Sequence, residues 1–259
     1  MTRGPAALAD SATRAAFAEY LLRAADDELI IGHRHSEWTG FGPDIESDVA
    51  FSSIAQEEIG HARALYGHVD GAEGAADRLA YGRRPAEYRH AMFVERDNGG
   101  WESSIVRLAL YERYDAERLR LLAASGQDPV AGLARALLRE ERYHVLFADT
   151  WLTRLVQGGP EGRDRVQRAF DAAWPDALGL FERTEADAQL GVAGVLPAST
   201  SEHRRAWEAA VRPLLESCGL SVPASTAREG GRTGTHSEEF DRLHAQMTEV
   251  WRSDPEARW

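Results

Sequence analysis

Two short stretches, each a glutamate followed three positions later by a histidine, constrain this chain more than any other feature. They are Glu58-Ile59-Gly60-His61 and Glu141-Arg142-Tyr143-His144. Residues three apart on an α-helix share one face, so each stretch directs a carboxylate and an imidazole the same way. Such a pair can bind a metal ion. One pair alone is weak support, because about one is expected by chance in a chain with 9 histidines.

A third Glu-x-x-His pair, Glu87 and His90, is interpreted as that coincidence. It lies between Gly82-Arg83-Arg84-Pro85 and Gly99-Gly100, which leaves room only for a short helix without a long apolar stripe. Arg83 and Arg84 are interpreted as solvated charge, with binding of a CoA phosphate as the alternative. The other two pairs must be judged by their surroundings.

The composition is that of a soluble globular protein, with 43% apolar and 28% charged residues in a chain of 259. A net charge of −12 argues against a nucleic-acid or membrane partner. The lone Cys218 excludes an internal disulfide and a cysteine-built zinc site. The N-terminus shows no leader pattern, and no apolar run reaches about 18 residues. We therefore expect a cytoplasmic protein.

Good helix formers dominate, and alternating β-branched runs are absent, which predicts an all-α protein. Two helical hairpins joined by one long crossover are typical of a ferritin-like four-helix bundle, here with additional C-terminal helices. We expect a single domain over residues 1–259, with a core bundle at about 12–157 and a helical extension at about 160–259. Val222–Thr235 is predicted to be an extended surface segment and Asp254–Trp259 a tail. The predicted helices span about 12–39, 44–69, 102–124, 130–156, 162–188, 202–217 and 237–251, with a short one inside the crossover at 70–100.

Turn positions bring further glutamates into register with the two pairs. In an antiparallel hairpin, two residues lie at the same depth when the turn falls midway between them. Pro43, in the first turn, is midway between Glu28 and Glu58. Each of these glutamates is about 15 residues from the turn, roughly 20 Å along a helix.

The second hairpin repeats this spacing. The turn residues Gly126 and Gln127 lie midway between Glu112 and Glu141, again about 15 residues from each glutamate. Two hairpins of independent sequence are therefore predicted to deliver ligands to one level.

The glutamates and histidines in question all lie on otherwise apolar stripes. A buried carboxylate without a counter-charge costs several kcal/mol, so four of them can share a core only if cations compensate. Two divalent ions would balance the four charges, and oxygen-rich ligation with two nitrogens favours iron or manganese over zinc or copper. The predicted metal ligands are Glu28, Glu58, His61, Glu112, Glu141 and His144.

Taken singly, these residues have simpler interpretations. Glu28 or Glu112 alone would more often be a solvated or arginine-paired helix residue, and His61 alone a hydrogen-bonded core histidine; only the joint pattern favours a metal site. Asp115 and His35, one and two turns from ligands on the same stripes, are candidates to hold the ligating imidazoles by hydrogen bonds, with plain packing as the alternative.

Several segments resemble one known family. Ala25–Trp38, Glu57–Arg63, Glu140–His144 and the stretch from Gly231 to Trp259 are similar to the ferritin-like subunits of bacterial phenylacetyl-CoA epoxidase. The resemblance covers nearly the whole chain. That family has a catalytic subunit with a di-iron site and a structural subunit whose metal positions are usually degraded. In length and tail this chain resembles the structural subunit, yet the six ligand positions are occupied by ligand-type residues.

The resemblance implies a non-haem di-iron oxygenase that activates O2 and transfers an oxygen atom to a small organic substrate, for which an aromatic CoA thioester is a candidate. It implies two iron ions (manganese or a mixed pair being alternatives), a separate reductase and a homo- or hetero-oligomer. The main alternative is a non-catalytic scaffold subunit that binds a catalytic partner. A ferritin- or rubrerythrin-like iron oxidase is a third hypothesis, which the family-like tail disfavours. Substrate identity and oligomeric state stay open.

Overall fold

The computed structural model of the chain describes Leu8 and residues 10–254. Within that part of the chain all regular structure is helical and no β-strand occurs, which confirms the prediction of an all-α protein.

The chain comprises two compact units. Of the described residues, the first takes in those up to Phe17 together with Asn98–Arg228, and the second takes in Ala18–Asp97 together with 229–254. The single domain with its core bundle stays a prediction, and most of the predicted tail, residues 255–259, lies outside the described residues.

The four long helices predicted from the sequence are present, with ends within one turn of those predicted. Short 3-10 turns lie at Pro85–Glu87 and Gly231–Thr233. None of the described helices combines the length and apolar character needed to cross a lipid bilayer. The α-helices are, in chain order, α1 (Ser11–Ser36), α2 (Ile45–Val69), α3 (Ala75–Tyr81), α4 (Met92–Glu95), α5 (Trp101–Ala124), α6 (Val130–Gln157), α7 (Pro160–Gly179), α8 (Glu185–Ala193), α9 (Thr200–Cys218), α10 (Glu238–Met247) and α11 (Glu249–Ser253).

In the first unit, α5 packs against α6, α7 and α9. Trp207 of α9 donates its indole N–H to the carbonyl oxygen of Leu110 at 2.9 Å, and its ring stacks on that of Trp174 at 5.2 Å. Burying such large aromatic surfaces contributes several kcal/mol. The extra C-terminal helices therefore complete the core behind α5.

In the second unit, residues 229–254, here called the C-terminal segment, pack on the crossover between α2 and α5. Arg232 binds both carboxylate oxygens of Asp27 at 2.8 Å. Gly231 lies so close to the carbonyl oxygen of His90 that a Cβ would stand 2.3 Å from it. Gly231 and Arg232 are buried, so the prediction of an extended surface segment at 222–235 is wrong at its C-terminal end.

The helix predicted at 162–188 is divided into α7 and α8. A Cβ at Gly179 would lie 2.0 Å from the carbonyl oxygen of Arg228, so the chain crosses close to the end of α7. Thr184 and Asp187 then form a capping box that starts α8. The prediction of a single helix is wrong because this capping box starts a second helix at Glu185.

Two smaller predictions also need correction. The crossover contains α3, a 3-10 turn and α4 rather than one short helix. The last predicted helix is divided at Thr248, which follows α10 and directly precedes α11.

Candidate metal centre

The first hairpin, α1 and α2, carries a triad of buried ligand-type side chains. Glu28 comes from α1, and Glu58 and His61 come from one face of α2. Their exposed fractions are 0, 0 and 3%. Each offers one ligand atom, and these atoms lie within 4.8 Å of one another. The Nδ1 atom of His61 is 3.7 Å from Oε2 of Glu28. We call this set the α1–α2 triad.

Close helix contact and a tied turn position this triad. A Cβ at Gly32 of α1 would stand 2.8 Å from Cγ1 of Ile59 and 3.0 Å from Cβ of Glu58, so glycine allows the helices to approach at the level of the ligands. The Asp44 carboxylate caps α2 by accepting from the N–H of Ser47 at 2.7 Å. The hairpin is thus held at both the turn and the triad.

The second hairpin, α5 and α6, carries an equivalent triad. Glu112 comes from α5, and Glu141 and His144 come from α6; all three are buried. The Nδ1 atom of His144 lies 3.1 Å from Oε2 of Glu112 and 3.6 Å from Oε1 of Glu141. One ligand atom from each residue lies within 4.8 Å of the others. We call this set the α5–α6 triad.

The turn between α5 and α6 forms where the glycine and serine predict it. The Ser125 hydroxyl donates to the carbonyl oxygen of Leu122 at 2.6 Å, and Gly126 adopts φ +71°, a conformation that favours glycine. The register that places Glu112 opposite Glu141 is therefore set by local turn chemistry.

Other buried acids of α1 are matched by arginines. Asp26 accepts hydrogen bonds from Arg83 and, at 2.5 Å, from the hydroxyl of Tyr66. Burial, with the Asp26 charge adding to it, raises the pKa of Tyr66 well above its ordinary value. Asp27 binds Arg232. Arg83 is therefore inside the protein on an aspartate, and its interpretation as solvated surface charge is wrong.

The same arrangement recurs on α5. Arg113 donates to both carboxylate oxygens of Asp149 on α6, at 2.6 and 2.8 Å. Asp115, fully buried, forms an ion pair with Arg118 one turn further along α5. Glu112, on the same helix, lies beside the imidazole of His144.

His35 and Asp115, the two residues predicted to support the ligands, are both buried. The ring of His35 packs against Phe51 with 4.6 Å between centroids, and Asp115 contacts Arg118. Their roles in holding ligating imidazoles stay a prediction.

The donor sets fit divalent iron or manganese. Two donors of one ion with bonds of about 2.1 Å lie roughly 3.0–3.6 Å apart at bond angles between about 90° and 120°. The Nδ1-to-carboxylate separations of 3.1, 3.6 and 3.7 Å fall in or next to that range. Two carboxylates and one imidazole per triad are the donor types of dinuclear sites in helical bundles.

Sequence reasoning missed a third cluster, which contains His90. The side chain of Glu87 is 44% exposed and binds Arg84, whereas His90 is fully buried with its Nε2 2.7 Å from a carboxylate oxygen of Glu95. His236, far along the chain, reaches the same oxygen at 2.8 Å. Glu87 and His90 thus do not act together, and no local spacing signals the partners that His90 does have.

Comparison with known proteins identifies the family. The family described as "Phenylacetic acid catabolic protein" matches residues 3–259. The chain belongs to this family. It is 30% identical over 243 residues to a subunit of 1,2-phenylacetyl-CoA epoxidase from Escherichia coli (strain K12), which covers 93% of this chain and 98% of the relative. The resemblance stated from the motifs is thereby confirmed.

A solved structure supports the fold. The Synechococcus protein described as having aldehyde deformylating oxidase activity superposes with a TM-score of 0.63 at 19% identity, over 92% of this chain and 99% of its own. At that identity the likeness bears on the fold. The prediction of a ferritin-like fold is confirmed.

Proposed function

We propose that this member of the family is a non-haem di-iron oxygenase that uses O2 to oxygenate a small organic molecule. The observation that carries the proposal is the pair of buried triads, one on each hairpin, with Nδ1 of each imidazole facing carboxylate oxygens. Buried carboxylates in this number are costly without cations. A protein that needed only a stable helical core would more simply use apolar residues at these positions.

The two triads are proposed to be the halves of one dinuclear centre. The turn positions in the sequence, midway between Glu28 and Glu58 and midway between Glu112 and Glu141, support this. Two divalent ions would also neutralise four carboxylates. The ligands are Glu28, Glu58, His61, Glu112, Glu141 and His144, with iron as the metal and manganese or a mixed pair as alternatives.

The ligand side chains would bind the two ions and fix their positions, and the surrounding protein would exclude water. The bound pair would supply activation of O2 for transfer of an oxygen atom to the substrate. Deprotonated carboxylates and neutral imidazoles act as ligands, and burial of all six keeps solvent away from a reactive centre. Asp115 and His35 are proposed to hold neighbouring ligands in place, a role in which an ionised Asp115 would remain paired with Arg118.

The substrate and partners are proposed from the relative. Since that protein is named as part of 1,2-phenylacetyl-CoA epoxidase, an aromatic CoA thioester is the proposed substrate class. A homo- or hetero-oligomer in the cytoplasm, receiving electrons from a separate reductase, completes the proposal.

A second candidate function is that of a non-catalytic subunit that supports a catalytic partner. The name of the relative, which makes it one of the subunits of a larger enzyme, favours this function. The intact triads oppose it, because a scaffold has no need for four buried carboxylates.

Iron content separates the two candidates. The purified chain, loaded with Fe²⁺ without oxygen, is expected to hold about two irons. The variants Glu58→Ala and Glu141→Ala, one in each hairpin, should each lose both irons and at least about 100-fold of O2 consumption by the reduced protein. Glu57→Ala and Glu140→Ala, which change exposed neighbours, are matched controls and should change neither.

Two results would count against this function. A wild-type chain that takes up no iron supports the scaffold role. Loss of one iron in each variant, with the other retained, would show two independent mononuclear sites instead of one dinuclear centre.

A further inference from the structure

A histidine-rich cluster lies in the second unit and shares no residue with either hairpin triad. His90 and Glu95 have no exposed surface, and the side chain of His236 is 3% exposed. Oε2 of Glu95 lies 2.7 Å from Nε2 of His90 and 2.8 Å from Nδ1 of His236. The two imidazole rings stack with 4.1 Å between centroids. Two nitrogens therefore converge on one carboxylate oxygen inside the protein.

The hydrogen bonds of His236 require a second proton or a metal ion at this point. Its Nε2 is 3.2 Å from the carbonyl oxygen of Tyr88, and its Nδ1 is 2.8 Å from the carboxylate of Glu95. Both neighbours only accept hydrogen bonds, whereas a neutral imidazole carries one N–H. Either a second proton or a metal ion must lie between His236 and Glu95.

The outer contacts of the cluster are of the kind that metal ligands make. Ligating histidines usually donate their other N–H to a carbonyl or carboxylate, and ligating carboxylates are themselves hydrogen-bonded. His236 has the carbonyl oxygen of Tyr88 in this role, and Oε1 of Glu95 accepts from the N–H of Ser237 at 2.8 Å. Two of the three side chains are thus already oriented by second contacts.

We propose that His90, Glu95 and His236 bind one divalent transition-metal ion. One ligand atom from each lies within 4.8 Å of the others. In a tetrahedral site with bonds of about 2.1 Å, donors stand roughly 3.4 Å apart. The nitrogens need to withdraw from the carboxylate oxygen by about 0.6 Å to admit the ion. Two imidazoles and one carboxylate favour Zn²⁺, in contrast to the oxygen-rich triads of the hairpins.

The ion would join segments that are distant in sequence. His90 and Glu95 belong to the crossover, whereas His236 belongs to the C-terminal part of the chain. The main-chain carbonyl of Glu95 accepts from Arg34 of α1 at 2.7 and 2.9 Å. The ion would therefore fix the C-terminal segment against a crossover that is bonded to α1, and its role is structural.

Metal binding to the full chain tests the proposal, with Zn²⁺ and Co²⁺ as probes. The double variant Glu58→Ala/Glu141→Ala, stripped of metal, lacks one carboxylate ligand in each hairpin triad, so the triads no longer compete for the metal. It should still bind about one Co²⁺, with visible absorption characteristic of four-coordinate cobalt. Adding His236→Gln should abolish that binding, and adding Glu95→Gln should weaken it by at least about 100-fold. His244→Gln, which removes a nearby imidazole outside the cluster, should leave it unchanged.

Absence of bound Co²⁺ in the folded double variant would overturn the proposal, and a proton would then be the cation between His236 and Glu95. Binding that survives His236→Gln would overturn it equally. If the double variant does not fold, the same comparison is made in the otherwise unchanged chain loaded with Zn²⁺. There His236→Gln should lower the zinc content by one ion per chain relative to His244→Gln, and equal contents would contradict the proposal.

Discussion

The α1–α2 and α5–α6 hairpins carry the same donor types but are supported in different ways. In the α1–α2 hairpin, the acids preceding Glu28 are bound by residues from elsewhere in the chain. Asp26 binds Arg83 of the crossover, and Asp27 binds Arg232 of the C-terminal segment.

In the α5–α6 hairpin, the acids that bind arginines find their partners within the hairpin itself. Arg113 of α5 binds Asp149 of α6, and Asp115 binds Arg118 within α5. The acids beside the first triad are therefore neutralised by long-range tertiary contacts, whereas those near the second are neutralised within its own hairpin. Changes in the crossover or the C-terminal segment should disturb the first much more than the second.

The largest effect on stability is expected from breaking the buried pair of Asp27 and Arg232. Their side chains are 0 and 3% exposed, so Asp27→Asn leaves a buried guanidinium without its counter-charge and should cost about 3–5 kcal/mol. In the other hairpin, Asp149→Asn should cost about 1 kcal/mol or less, because Asp149 is 36% exposed and its pair is partly solvated.

Urea unfolding of the two variants measures this difference. Equal losses of unfolding free energy would refute the distinction between the hairpins. A loss for Asp27→Asn that disappears in an Arg232→Met background would strengthen it, because the unpaired charge would then be absent.

A smaller effect is expected at the contact between α1 and α2. Gly32→Ala places a Cβ 2.8 Å from Ile59 and 3.1 Å from the carbonyl oxygen of Ala55. The helices must separate, which should cost about 1–3 kcal/mol and weaken iron binding by the α1–α2 triad. Gly60→Ala is the matched control: a Cβ there meets nothing within 4 Å, and alanine favours a helix by up to about 1 kcal/mol.

Thermal unfolding and iron content of both glycine variants provide the measurement. The expected result is opposite signs, with Gly60→Ala as stable as the wild type or more so. A Gly32→Ala protein with normal stability and iron content would show that α1 and α2 do not need their close approach.

The smallest effect at neutral pH is expected from His33, which should make the α1–α2 hairpin sensitive to acid. Its ring packs edge-on to Tyr81 of α3, and burial lowers its pKa from 6.5 to about 4. Because the folded pKa lies below the unfolded one, the unfolded chain binds a proton first as pH falls. The stability that the neutral, buried His33 contributes is therefore complete above pH 6.5. As the pH falls from 6.5 to 4, the free energy of unfolding decreases by no more than about 1.4 kcal/mol per pH unit.

Comparing the wild type with His33→Gln across that range isolates this group from other titrations. The variant should lose less stability than the wild type between pH 6.5 and 4, and the two should run parallel above pH 7. Parallel curves at all pH values would contradict the assigned pKa.

The sequence predicted those features that depend on residues close together in the chain. Helix periodicity, the turn at Pro43 and the turn at Gly126 are local signals, and they predicted both hairpins and the depth of their glutamates. The break between α7 and α8 was missed although the Thr184 capping box is also local, because the apolar pattern continues across it. The burial of Arg83 and Arg232 had no local signal at all.

By itself, the sequence determined an all-helical chain, two hairpins and a Glu-x-x-His pair facing inward on each, because these features depend on residues three to four positions apart and on turns between neighbouring helices. The tertiary structure alone decided which arginines neutralise Asp26 and Asp27. It also decided that His236 meets His90 and Glu95. Those contacts join residues separated by long stretches of chain, and their energies exist only once the core has brought the segments together.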